Sequence, residues 1–114
     1  MGTHCYIGIE DKNDGTVCCV YIHYDGYFSY IIPLLRKNYM ERSNVEGLIA
    51  CGDMQSLRLP NEWIVCENEP TTFGDRYIFE MEARQNIEYF YLFNKDDKWE
   101  FQSSEMISID ELSC

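Results

Sequence analysis

The sequence predicts an α+β fold: an antiparallel sheet of about five or six strands, with two short helices inserted after the first hairpin, in a single domain over residues 1–114. Three observations predict it. An Asp14-Gly15 turn separates two β-prone runs, which is the strongest short-range hairpin signal. Apolar residues then recur at helical spacing, first after Pro33 and again from Val45 to Ile49. The second half returns to aromatic runs bounded by turn residues.

The elements follow in order. Residues 4–10 read as a strand with Cys5, Ile7 and Ile9 on one face. Asp11 to Gly15 is a turn, and Thr16 to Tyr24 a second strand whose apolar residues do not alternate cleanly, as expected where both faces are covered. In any of the plausible registers His4 and His23 lie near each other, at the end away from the turn. Asp25-Gly26 closes this strand, with Gly26 expected to relieve a strained backbone angle. Pro33 fits the first turn of a helix, after which Leu34, Leu35 and Tyr39 line one face. Ser43-Asn44-Val45-Glu46 reads as a capping box, Val45, Leu48 and Ile49 as the buried stripe, and Gly52 as a left-handed terminator. A strand is expected around Trp63-Ile64-Val65, and residues 68–75 as a loop. Arg76 to Glu82 alternates as a strand does, with Tyr77, Phe79 and Met81 on one face. Glu88 to Asn94, the turn Lys95 to Lys98, and Trp99 to Gln102 form a last hairpin. From Ser103 onward a helical turn and a strand fit equally well.

Charge narrows the function classes. The net charge is −11, and residues 58–114 hold thirteen acids against five bases. Direct nucleic-acid binding needs positive charge against phosphate and is disfavoured. An acidic surface suits docking on a basic partner, or imitation of nucleic acid; it also serves solubility alone. No apolar run approaches the roughly 20 residues of a membrane span, and the first residues lack the basic start and apolar core of a secretory signal. The six cysteines include no Cys-x-x-Cys pair, which predicts free thiols in a reducing compartment.

No catalytic motif stands out. There is no Gly-x-Ser-x-Gly elbow and no Gly-rich phosphate loop, so no catalytic residue, metal site or cofactor is assigned. The candidate binding residues are His23, Tyr24, Asp25 and Tyr27, where polar and aromatic groups gather at a strand end, and the acidic Glu80, Glu82, Asp96 and Asp97. On a strand, Glu80 and Glu82 would share one face about 7 Å apart, a spacing that imitates a phosphate track. The structural alternative for the first group is a packed turn, and for the second a solvated face.

The order of short motifs carries a resemblance. Ile7-Gly8-Ile9-Glu10, Asp14-Gly15-Thr16-Val17, His23-x-Asp25-Gly26-Tyr27, and Val45-x-x-Leu48-Ile49-x-x-Gly52-Asp53 with Ser56-Leu57 run in sequence. This pattern, over residues 7–57, resembles a family of small uncharacterised accessory proteins encoded by tailed bacteriophages and prophages. Members often carry Cys-His-Trp-Asp-Gly-Tyr where this chain has Ile22-His23-Tyr24-Asp25-Gly26-Tyr27. The resemblance implies an accessory protein acting in the bacterial cytoplasm during infection, and transfers no catalytic residue.

The resulting expectation is a non-enzymatic binding protein that antagonises a bacterial defence or host factor through an acidic, aromatic-containing surface. Its partner would be a host protein with a basic surface, of the kind that binds nucleic acid; no direct nucleic acid or membrane contact is expected, and a homodimer stays open. The alternative is a small-ligand or nucleotide-signal sponge using the His23–Tyr27 turn, which would need a basic pocket from Arg36, Lys37 or Arg42.

Overall fold

A computed structural model describes residues 3–60, 62 and 68–103. The elements are β1 (Cys5–Glu10), β2 (Val17–Ile22), α1 (Phe28–Asn38), α2 (Arg42–Ala50), β3 (Thr71–Phe73), α3 (Arg76–Asn86), β4 (Tyr89–Phe93) and β5 (Trp99–Ser103). The class is α+β, with the strands in the order β3-β2-β1-β4-β5. Two features differ from expectation: the sheet is mixed, because β1 and β4 run parallel, and the described residues hold three helices.

Both differences have one cause. Residues 76–86 form α3 where the alternation of Tyr77, Phe79 and Met81 predicted a strand. The deciding pattern is Phe79, Ala83 and Ile87, four residues apart and all buried, while Tyr77 and Met81 are exposed. Good helix formers fill the segment, and Asp75 caps it by accepting from the Ile78 backbone N–H at 2.9 Å. A helix here is the long crossover that parallel strands require, which a chain of hairpins could not supply. β3 lies where a loop was expected, pinned against the outer edge of β2 through Val17–Cys19.

The first hairpin forms as read, with Cys5 opposite Ile22 and Glu10 opposite Val17. Its turn is stapled by the Asp11 carboxylate, which accepts from the backbones of Asn13 and Asp14 at 2.7 and 3.1 Å, and Gly15 takes the left-handed φ of 76°. The imperfect alternation of β2 reflects burial on both sides. Cys5, Ile7, Ile9, Val20, Ile22, Tyr91 and Phe93 face α1 and α2, while Val17, Cys19, Phe90 and Leu92 face α3. Gly8 makes that second layer fit: a Cβ there would lie 3.0 Å from Val17 Cγ1 and 3.3 Å from Phe79 Cζ.

The helix starts also differ from expectation. α1 begins at Phe28, so Pro33 is interior; it is exposed, as is Ser29, whose carbonyl loses its helical donor and can meet water. α2 begins at Arg42 with Glu41 at the N-cap, not at a Ser43 capping box. Arg42 fixes that start itself, donating to Asp97 Oδ1 at 2.7 Å and to the carbonyls of Glu10 and Asn94 at 3.0 and 2.8 Å. Val45, Leu48 and Ile49 are buried, and Gly52 ends the helix with φ 85°. The strand expected around Trp63-Ile64-Val65 and the segment from Ser104 onward lie outside the described residues.

Candidate functional site

The two histidines do converge. Because Cys5 pairs with Ile22, His4 and His23 flank the same end of the hairpin on the α3 side of the sheet. Between them stands Tyr21, stacked on His4 at 5.5 Å and meeting His23 edge-on at 4.6 Å. The ribbon of rings continues from Tyr21 to Tyr6 at 5.9 Å, then to Phe79 and Phe73, and outward from His23 to Tyr24 at 6.3 Å. Tyr24 is 49% exposed. His4 Nδ1 is buried without a hydrogen-bond partner among the described residues.

The following turn has a structural role with the parts exchanged from expectation. Asp25 takes the left-handed angle, φ 60°, whereas Gly26 is needed for close approach. A Cβ at Gly26 would fall 2.8 Å from Cys5 Cβ and from the Thr3 carbonyl oxygen. The Gly26 N–H donates to that Thr3 oxygen at 2.7 Å, and its carbonyl accepts from the buried Tyr91 hydroxyl at 2.6 Å. Burial pushes the Tyr91 phenol far above its usual range, so it stays a donor. Tyr27 turns away from the histidines, at the start of α1 beside Tyr30.

Among the described residues, the acidic candidates separate into those with an ion-pair partner and those without. On α3, Glu80 and Glu82 sit about 200° apart around the axis at 3.6 residues per turn, so they form no strand-like carboxylate track. Glu80 is bound to Arg76 at 3.0 Å; the same guanidinium grips Glu100 of β5. Burial pushes the Glu100 carboxyl up, but hydrogen bonds from Arg76 and Asn94 win and hold it below its usual value. Asp97 is taken by Arg42 and Lys12, whose hydrogen bonds lower its pKa. Asp96 and Asp97 lie in the β4–β5 turn, at the opposite end of the sheet from His23. The predicted residues therefore form no single site.

Sequence reasoning missed the concave feature near the aromatic ribbon. A pocket of about 200 Å³ is lined by Tyr6, Cys19, Tyr21, Asp53, Thr71 and Phe73. Asp53 arrives in the chain after α2, which is held down by Tyr30 donating to the Leu57 carbonyl at 3.0 Å and by Tyr39 donating to that of Arg58. Its carboxylate accepts from the Tyr21 backbone N–H at 2.9 Å. The electrostatics are negative. Burial raises the Tyr6 phenol, and Cys19, Glu82 and Asp53 raise it further. Tyr21 is raised by burial, then by Cys5, Glu88 and Asp53. Cys19, at the pocket, is held protonated by burial.

Among the described residues, no group of three or more His, Cys, Asp or Glu is placed to hold a metal ion, and no helix is long and apolar enough to cross a membrane. The four described cysteines, Cys5, Cys18, Cys19 and Cys51, are free thiols, with adjacent Cys18 and Cys19 packed on opposite faces of the sheet. No protein-family profile, curated protein or solved structure matches the chain.

Proposed function

We propose that this chain is a non-enzymatic binding protein that holds a basic surface of a host protein against the α3 side of its sheet, at the end carrying His4 and His23. The observation that carries the reading is the placement, beside aromatic surface, of acids that have no ion-pair partner among the described residues. Glu82 acts on the Tyr6 phenol, Glu88 on that of Tyr21 and Asp53 on both, with the exposed Tyr24 nearby. Glu80, Glu100 and Asp97, by contrast, are already neutralised by the protein's own bases. Acid steers the encounter, and aromatic area holds it. The motif order over residues 7–57 supports a setting in phage infection, in which the partner is a bacterial defence or host factor, with nucleic-acid mimicry as the means.

Two of the three bases that the nucleotide-sponge reading would draw on are engaged within the chain. Arg42 is spent on Asp97 and two carbonyls, and Arg36 lies over the Phe101 ring at 5.3 Å. A test is capture from bacterial lysate by the tagged chain at low and high salt. The reading expects a discrete basic protein that is released by salt and retained less by Glu82→Gln/Glu88→Gln. A captured small molecule released on heating, with no protein, would replace it with the sponge.

A further inference from the structure

The outer edge of β2 changes partner partway along. Residues Val17 to Cys19 pair with β3, but beyond them the neighbour is the chain after α2. There Met54 N donates to the Tyr21 carbonyl at 2.9 Å and His23 N to that of Met54 at 3.1 Å. The pocket of Tyr6, Cys19, Tyr21, Asp53, Thr71 and Phe73 sits at this step. We propose that it receives a lysine side chain of the protein partner, with Tyr6, Tyr21 and Phe73 as aromatic walls and Asp53 as the counter-charge. This rests on the reading of the chain as an acidic binding protein, and names what that surface grips.

Size, shape and charge each point the same way. At about 200 Å³ the pocket is smaller than the roughly 300–1,000 Å³ of small-molecule sites, and suits one side chain rather than a nucleotide. The Tyr6 and Tyr21 rings meet at 68° with centroids 5.9 Å apart, making an aromatic corner. A cation within about 6 Å of such ring faces is attracted by their quadrupoles. No lysine or arginine lines the pocket among the described residues. The carboxylates of Asp53, Glu82 and Glu88, which disfavour ionised phenols at Tyr6 and Tyr21, favour an incoming positive charge.

The hydrogen bonding selects ammonium over guanidinium. Asp53 Oδ1 already accepts from Tyr21 N, while among the described residues Oδ2 has only a 3.4 Å contact from Asn68 Nδ2. An arginine fork wants both carboxylate oxygens, whereas an ammonium is a compact charge that one oxygen serves. The buried hydrocarbon stem of a lysine would lie along Phe73 and Tyr6.

The experiment is an NMR titration of the full chain with n-butylammonium, the lysine side-chain analogue, compared with 1-butanol and n-butylguanidinium. Expected are saturable shifts of the Tyr6, Tyr21 and Phe73 ring signals, with butylammonium binding tightest. Asp53→Asn keeps an acceptor for Tyr21 N and should weaken binding about tenfold, equivalent to the loss of about 1.4 kcal/mol. Phe73→Leu keeps the apolar wall without the quadrupole and should weaken it severalfold. Equal shifts with butanol, tighter binding of butylguanidinium, or unmoved ring signals would overturn the assignment. If the lysate capture persists while the rings do not move, the lysine pocket fails and the acidic binding reading stands. If capture also fails, both fall.

Discussion

Replacing Gly26 by alanine tests how the turn after β2 is built. The new methyl group would sit 2.8 Å from Cys5 Cβ, 2.8 Å from the Thr3 carbonyl oxygen and 2.9 Å from Cys5 N. Two of those atoms are backbone at the start of β1, so no flexible side chain can yield. Overpacking of this kind costs about 1–3 kcal/mol. Moving the turn also strains the bond from the buried Tyr91 hydroxyl to the Gly26 carbonyl, 2.6 Å long, worth about 1 kcal/mol. The sum is about 2–4 kcal/mol, a large share of the roughly 5–15 kcal/mol typical of a domain. For a chain of 114 residues that is a fall in melting temperature of about 8–16 °C, at about 4 °C per kcal/mol. Urea unfolding gives the free energy and calorimetry the temperature. Tyr91→Phe, which removes only the hydroxyl, should cost about 1 kcal/mol. A Gly26→Ala protein within about 0.5 kcal/mol of wild type would refute the close approach, because surface changes typically fall in that range.

Three other outcomes follow from the packing. Arg42→Met strips the donor from the Glu10 and Asn94 carbonyls and should cost about 1–3 kcal/mol by urea unfolding; no loss would mean water replaces the guanidinium without penalty. Glu100 has a lowered folded-state pKa, so its contribution is present above the unfolded value of about 4.3 and is lost as pH falls through the lower folded value. Wild type should therefore lose more stability than Glu100→Gln between about pH 5 and 3, and parallel curves would contradict the Arg76 and Asn94 hydrogen bonds as the cause. Burial raises the thiol pKa of Cys5 and Cys19, so both should resist a thiol reagent until the chain unfolds, while half-buried Cys18 and Cys51 react ahead of them; mass spectrometry of the labelled protein reads the order.

The parts that were legible in the sequence are those fixed by local chemistry. The Asp14-Gly15 turn announced the first hairpin, and through it the meeting of His4 with His23. The aromatic run before Lys95 and the turn after it announced β4 and β5. What was not legible depends on distant partners. Arg76 to Glu82 alternates as a strand does, and burial of Phe79 and Ala83 against β1, β2 and β4, with the Asp75 cap, decides for the helix. Thr71-Thr72-Phe73 is too short to declare itself; it is a strand because the edge of β2 was open to it. The Ser43 capping box lost to Arg42, whose anchors are 32 and 55 residues away in the chain. The pocket is the extreme case, since Tyr6, Tyr21 and Phe73 are joined by strand pairing and Asp53 reaches them through its bond to the Tyr21 backbone. Asp53 and Tyr21 were visible as residue types, and their 2.9 Å contact was not.

The central claim is that acid at the His23 end of the sheet, rather than net charge, holds a basic partner. The direct measurement compares capture from bacterial lysate by Glu82→Gln/Glu88→Gln with capture by Asp96→Asn/Asp97→Asn, which makes the same change in charge at the opposite end. The first pair should lose the salt-sensitive protein and the second retain it at the wild-type level. Equal loss from both would contradict it and leave the acidity as a global property without a docking face.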